Sequence, residues 1–347
     1  MIARVTLEIA LRKEFDYLVP GEFRDRVEIG SRVKVPFGPR KVMGVVTGLP
    51  AQSEHAKLKP ILGVVGKGSF VTPKVLELAR WMAGYYCCPV ETALKSVLPV
   101  SVRKEKEGWK KQLYVRSIEP VGSPSKLTKR QEELNAVLRE WKELPLQEFL
   151  KMTQSTQATV KKLESAGVAL ISREVIERDP YAHEHIVPTE PLELNQEQKT
   201  SMDAVLKAMN NEQAAKQSNV FLLHGVTGSG KTEVYLQAIQ HALEQGKGAI
   251  VLVPEISLTP QTVERFKARF SSGKHQTLVA VLHSHLSEGE RHDEWHKIKE
   301  GRARIVIGAR SAVFAPVDPL GLIVVDEEHE HSYKQEEAPR YHARDVA

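Results

Sequence analysis

VFLLHGVTGSGKTEVYLQAIQHALE, residues 220–244, joins an apolar run to an amphipathic one through a glycine-rich turn. Val220 to Val226 predicts a buried strand, and the apolar spacing beyond it predicts a helix from Lys231 to about Glu244. Between them Gly225, Val226, Thr227, Gly228, Ser229, Gly230, Lys231 and Thr232 spell G-x-x-x-x-G-K-T. Glycines let successive backbone N–H groups curl around phosphate oxygens. The lysine neutralises β- and γ-phosphate charge, and the threonine hydroxyl suits Mg²⁺. A strand and a helix flanking such a loop imply nucleoside triphosphate binding.

Toward the carboxyl end, short apolar runs alternate with amphipathic ones. AIVLVP (249–254), LVAVLH (278–283), ARIVIG (303–308) and LGLIVVDEE (320–328) predict strands. Residues 259–270 and a charged stretch over 288–299 predict helices. That alternation is the signature of a parallel sheet covered on both faces. Asp326 ends the last apolar strand, where charged side chains face the crevice in which ligands bind. It is expected to hold the Mg²⁺ shell with Thr232, and Glu327 to polarise the attacking water. Lys231, Asp326 and Glu327 are therefore the expected catalytic set. Asp326, Glu327, Glu328 and His329 together read D-E-x-H, the form this second motif takes in nucleic-acid motors. His283, His285, His292 and His296 lack the cysteines or paired carboxylates that would fix a metal, so no zinc site is expected.

The first 105 residues read as β-rich. Ala3–Ile9, FDYLVP (15–20), RVKVPFG (32–38) and MGVVTGL (43–49) predict strands, and Thr72 with Pro73 opens a helix reaching about Tyr86. A polar stretch over 100–126 reads as a linker. Residues 127–176 then give helix, short helix, second helix and strand. That is the order of a winged helix-turn-helix over 111–177, or of a generic three-helix domain. A second linker, 178–191, carries three prolines, and a motor lobe occupies 192–347.

Composition bounds the rest. The chain has 347 residues, 27% charged and 41% hydrophobic, close to globular averages. No apolar stretch approaches the roughly 20 residues of a membrane span. Glu8, Arg12 and Lys13 stand where a secretory signal would be apolar, so a cytoplasmic location is expected. Adjacent Cys87 and Cys88 exclude a disulfide scaffold and are expected to pack beside Tyr85 and Tyr86. Residues 1–110 hold 19 Lys and Arg against 11 Asp and Glu, which points to a polyanionic partner for that third.

Several stretches together resemble the bacterial replication-restart DNA helicases of superfamily 2. They are FDYLVP, RVKVPFG, YYCCPVETALKSVLP, LNQEQ, GVTGSGKT, LVPEISLTPQ, LHSHLSEGER, IVIGARSAVFAP and DEEHEHSYKQEEAPRYHARD. The resemblance implies an ATP- and Mg²⁺-dependent 3′-to-5′ helicase that recognises stalled forks and starts primosome assembly. It implies that Gln198 reads adenine and that Arg310 and Ser311 hold phosphates of the tracked strand. Tyr333, Lys334, Arg340, Tyr341 and His342 would lie in a loop linking DNA contact to ATP turnover, its rings stacking on bases. Phe15, Asp16, Tyr17, Gly38 and Lys59 would form a pocket for the 3′ end of the leading strand at branched DNA. Primosome proteins, single-stranded DNA-binding protein and the replicative helicase loader are the implied protein partners, with no membrane.

The resemblance also implies a second motor lobe with arginine fingers and a cysteine cluster holding two zinc ions, neither of which is in these residues. A truncated product is expected, able to bind forks and ATP but not to unwind alone. Two other readings stay open: another superfamily 2 translocase of the recombination or restriction type, and a non-enzymatic fork-binding module.

Overall fold

The computed structural model describes residues 1–7, 13–66, 71–98, 110–118, 127–176, 178, 186–211, 219–271 and 276–347. The chain forms two compact units, Met1–Gly108 with Pro180–Ala347, and Trp109–Asp179.

In the first unit, β1 (Ile2–Leu7), β2 (Phe15–Leu18), β3 (Arg32–Phe37), β4 (Arg40–Gly48) and β5 (Gly63–Val65) form an antiparallel sheet in the order β2-β1-β4-β3-β5. Period-two alternation drives it: Ala3, Val5, Leu7, Tyr17, Val33, Val35 and Val46 are buried in one cluster. Glu8 and Ile9, the expected end of the first strand, lie outside the described residues. Helix α1 (Pro73–Tyr85) starts as expected, with the Thr72 side chain accepting from the Val75 N–H and proline in the first turn. It pairs with α2 (Val90–Val97).

The β-rich segment and the motor lobe, expected as separate domains, share one core. Leu76, Met82, Leu94 and Val97 from α1 and α2 pack in a cluster with Ile250, Leu252, Trp295, Phe314 and Tyr341. Tyr86 ties the two parts further, its hydroxyl 3.1 Å from an Asp345 carboxylate oxygen and accepting the His342 N–H at 3.1 Å. Cys88 packs against this core, as expected of it, whereas Cys87 is exposed.

The motor lobe is a parallel sheet of β9 (Gly248–Leu252), β10 (Leu278–Leu282), β11 (Ala303–Gly308) and β12 (Leu320–Val325), in the order β10-β11-β9-β12. Around it lie α6 (Gln196–Met209), α7 (Lys231–Glu244), α8 (Pro260–Phe270) and α9 (Glu288–Lys299), taking α3 to α5 for the second unit below. Helix α9 forms over the charged stretch as expected, yet it buries His292, Asp293, Glu294 and Lys297. The reason is the sheet edge. Glu294 accepts the outward N–H of Val281 on edge strand β10 at 2.9 Å and pairs with Lys297 at 2.6 Å. The carboxylate thereby satisfies a backbone donor that would otherwise be orphaned.

A second departure is larger. Val220–Val226, expected as a strand, has no strand conformation and stays open: Val220 is 90% exposed, Leu222 76% and Val226 78%. A strand exists only where its hydrogen bonds are paired, and this run makes no ladder with β12, the edge strand whose Leu322 it meets through Leu223. Leu223 is partly buried, packing in a small cluster with Met202, Val234 and Leu322.

The second unit holds α3 (Lys129–Trp141), α4 (Leu146–Thr153) and α5 (Gln157–Ser165) with an antiparallel sheet β7-β6-β8. Its strands are β6 (Lys110–Ser117), β7 (Glu143–Pro145) and β8 (Ala169–Ile176). Strand β6 corrects the linker expected over 100–126. Gln112 and Arg116 alternate with Leu113 and Val115, and Val115 is fully buried in a cluster with Leu134, Leu138 and Phe149. The three helices follow in the expected order, with a strand added in front. No helix among the described residues is long and apolar enough to cross a membrane.

Candidate nucleotide site and nucleic-acid interface

The glycine-rich turn leads into α7 through two residues that only glycine adopts comfortably, Gly228 at φ +81° and Gly230 at φ +82°. Lys231 Nζ folds back over this loop, donating to the carbonyl oxygens of Gly225 at 2.7 Å and Val226 at 3.2 Å. A phosphate would compete with those carbonyls for the ammonium, so ligand binding requires their exchange.

Asp326 stands at the carboxyl end of β12, anchored by its own N–H to the Leu252 carbonyl at 2.9 Å. Burial raises its carboxyl pKa, with the neighbouring Glu327 charge adding to the rise, while Lys231 and the Tyr235 hydroxyl oppose it. Tyr235, one turn into α7, lies beside Thr232 and Asp326, and burial pushes its hydroxyl up to about 12, the Asp326 charge adding to the rise. Thr232, Lys231 and Asp326 are thus gathered at one end of the sheet. A threonine hydroxyl and a carboxylate are hard oxygen donors that fit Mg²⁺, which characteristically takes its remaining ligands from water and phosphate. Glu327 has φ +45° and faces His329 at 3.9 Å; Glu328 pairs with Arg344.

Gln198 sits beside this loop with both ends of its amide engaged. Its oxygen accepts the Asn195 N–H at 2.8 Å in a capping box at the start of α6, and its nitrogen donates to the Ser229 carbonyl at 2.9 Å. Reading a base edge would require releasing one of these bonds.

The loop after the acidic motif corrects one expectation outright. Tyr333 and Tyr341, expected to stack on bases, are core residues at 0% and 3% exposure. Tyr341 packs edge-on to Phe314 with ring centres 5.1 Å apart. Arg310 donates to the carbonyl oxygens of Lys334 at 2.5 Å and Ser332 at 3.3 Å, so its guanidinium braces the loop. Lys334 and Arg340 remain exposed, as does Ser311. Sequence reasoning missed Tyr235 altogether. Its spacing of three residues from Thr232 on a helix was the available signal.

In the amino-terminal sheet the expected 3′-end residues divide between two faces. Phe15 and Tyr17 belong to the core cluster, the Tyr17 hydroxyl donating to the Pro36 carbonyl at 3.2 Å. Asp16 points the other way and is held by Arg4 at 2.9 and 3.2 Å and by the Ser53 hydroxyl at 2.8 Å. The Arg4 guanidinium holds its carboxyl below the usual range. Phe15 meets Phe37 edge-on at 5.5 Å, next to the turn at Gly38, where φ is +57°. Lys59 is exposed, and its carbonyl accepts the Leu18 N–H at 2.9 Å at the end of β2.

Two family models match the chain. A family model of the 3′DNA-binding domain (3′BD) matches residues 4–99, and a DEAD/DEAH box helicase model matches residues 195–346. The replication restart protein PriA of Bacillus subtilis is 36% identical over 99% of this chain and 51% of its own length. That of Haemophilus influenzae is 37% identical over 100% of this chain and 47% of its own. The Chlamydia muridarum protein is 36% identical, with 100% and 46% covered. The chain spans about half the length of the curated relatives it matches.

Proposed function

Because the chain belongs to the PriA replication restart family, we propose that it binds branched DNA through its amino-terminal domain and binds ATP with Mg²⁺ on its motor lobe. The observation that carries the nucleotide half is the gathering of Lys231, Thr232 and Asp326 at one end of the parallel sheet. Lys231 would neutralise the terminal phosphates, and Thr232 and Asp326 would hold Mg²⁺, which supplies charge neutralisation of the phosphates when bound. Glu327, in the same turn, would orient the attacking water. Gln198 would read adenine after releasing a cap bond.

On the DNA side, Phe15 and Gly38 at the start of β2 and Lys59 at its end would receive the 3′-terminal nucleotide. Asp16, its carboxylate held by Arg4 and Ser53 and only 7% exposed, would meet a 3′-OH by exchanging one of those bonds. Arg310 would steady the loop while Ser311, Lys334 and Arg340 meet phosphates. We propose unwinding, primosome assembly and a zinc site only for a chain of the relatives' full extent.

A binding-only reading is favoured by one observation, the open, unpaired run before the phosphate loop. Fork affinity and ATP turnover separate the two. The expected result is preference for a fork with a 3′-OH at its branch over the same fork with a 3′-phosphate. Fork-stimulated ATP hydrolysis is expected to vanish in Lys231→Ala while fork affinity stays. Absence of any stimulated turnover leaves the binding-only reading, and absence of the 3′-OH preference removes the restart reading.

A further inference from the structure

Two large aromatic rings stand on the surface of α1. Trp81 is 42% exposed and Tyr85 61% exposed, and they stack with ring centres 5.0 Å apart and planes 20° apart. Residues four apart on a helix are neighbours, so such a pair also supports the helix. That accounts for their contact with each other and not for the exposure of both. A third ring, Tyr86, meets Tyr85 edge-on at 4.9 Å and Trp81 at 6.4 Å. Tyr86 is itself fixed through its hydroxyl to Asp345 and the His342 N–H, so the stack rests on a braced support. Lys334 brings a cation 5.7 Å from the Tyr86 ring centre, out of the loop that follows the acidic motif.

We infer that Trp81 and Tyr85 form a stacking platform for unpaired DNA bases beside the branch, with Lys334 holding the adjoining phosphate. Aromatic faces take any base, since every base has a π-face, and a nearby ammonium supplies the backbone contact. Charge points to the same occupant. The platform lies within the matched 3′DNA-binding domain, and residues 1–110 hold 19 basic against 11 acidic side chains. An apolar protein partner would gain nothing from that excess. The rings are set by the amino-terminal domain and the lysine by the motor lobe, so one bound strand would touch both.

The inference rests on the DNA-binding reading, and its test distinguishes the two. Anisotropy titrations compare a fork carrying a few unpaired nucleotides at its branch with a fully paired fork, each ending in 3′-OH or 3′-phosphate. For the Trp81→Ala, Tyr85→Ala double variant, affinity for the gapped fork should fall roughly 10- to 100-fold, the range expected for losing stacking on one base. Affinity for the paired fork and the 3′-OH preference should stay. Trp81→Phe with Tyr85→Phe should restore most of the loss, and Lys334→Ala should weaken gapped-fork binding with a shallower salt dependence. Unchanged gapped-fork affinity, or an equal loss on paired forks, overturns the platform while leaving the 3′-end reading intact. Failure of the unaltered chain to bind any fork overturns both. Far-UV circular dichroism checks the fold of each variant.

Discussion

The Tyr333 hydroxyl lies 2.5 Å from the carbonyl oxygen of Asp326 and 3.0 Å from that of Leu252, with the tyrosine fully buried. One proton is shared between the ends of two adjacent parallel strands, β9 and β12, at the residue expected to hold Mg²⁺. Tyr333→Phe keeps the ring and removes only that link. It should cost about 1–2 kcal/mol, the range for deleting a buried hydrogen bond, visible as a lower urea midpoint. Because the Asp326 backbone loses a restraint, Mg·ATP affinity should fall with it, while fork affinity should not. Equal urea midpoints for the two proteins would remove the proposed link.

Glu233, the residue after Thr232, makes a two-pronged ion pair with Arg269 of α8, both contacts at 2.9 Å. The same carboxylate accepts from the Leu192 N–H at 3.0 Å and from Gln237 at 2.9 Å. Removing one partner of a buried pair leaves the other charge uncompensated. Arg269→Ala should therefore destabilise the lobe by about 3 kcal/mol. Arg269→Lys should recover only part of this, because an ammonium cannot match the planar fork. Chemical denaturation of the three proteins measures the series, and a loss under about 1 kcal/mol for alanine would show that the pair behaves as a surface contact.

The phosphate loop, the acidic motif and the alternation of strands and helices were legible because each is local. Glycine at positive φ, a helix opening at Lys231 and an acid ending an apolar run are fixed by neighbours in sequence. What was not legible depends on partners far away. Val220–Val226 has the composition of a buried strand, yet a strand exists only where another strand receives its bonds. The charged residues of α9 are buried because Glu294 meets the edge of β10, a contact no helical periodicity announces. Strand β6 was hidden by its lysines and arginine, with Leu113 and Val115 as its only clear apolar beats. The FDY triplet looked like one pocket, but strand alternation sends Asp16 to the face opposite Phe15 and Tyr17.

The open run before the phosphate loop has a measurable consequence. Val220, Leu222 and Val226 expose apolar surface beside the unpaired side of β12. The 347-residue chain should bind a hydrophobic dye such as ANS, and Leu222→Ser should reduce the signal without lowering the urea midpoint. A longer chain, extended as in its relatives, should bind less dye per molecule if added sequence pairs with β12. Dye binding unaffected by Leu222→Ser would place the open surface elsewhere.

His296 gives the lobe a defined response to acid. Burial, with the neighbouring His292 ring 4.4 Å away, lowers its pKa from 6.5 to about 4. The folded protein therefore keeps this imidazole neutral down to about pH 4, whereas the unfolded chain takes up the proton near pH 6.5. Between those values the unfolded state binds more protons, so stability falls as pH falls. One such group contributes a slope of up to about 1.4 kcal/mol per pH unit across the window. Above pH 6.5 both states are neutral at this site, and the contribution is flat. His296→Gln removes the titration and keeps a polar side chain of similar reach. Urea midpoints at pH 7.5, 6 and 5 should drop less steeply for the variant than for the unaltered chain. Parallel slopes would mean that His296 is protonated in the fold, with Glu300 or Asp293 compensating its charge.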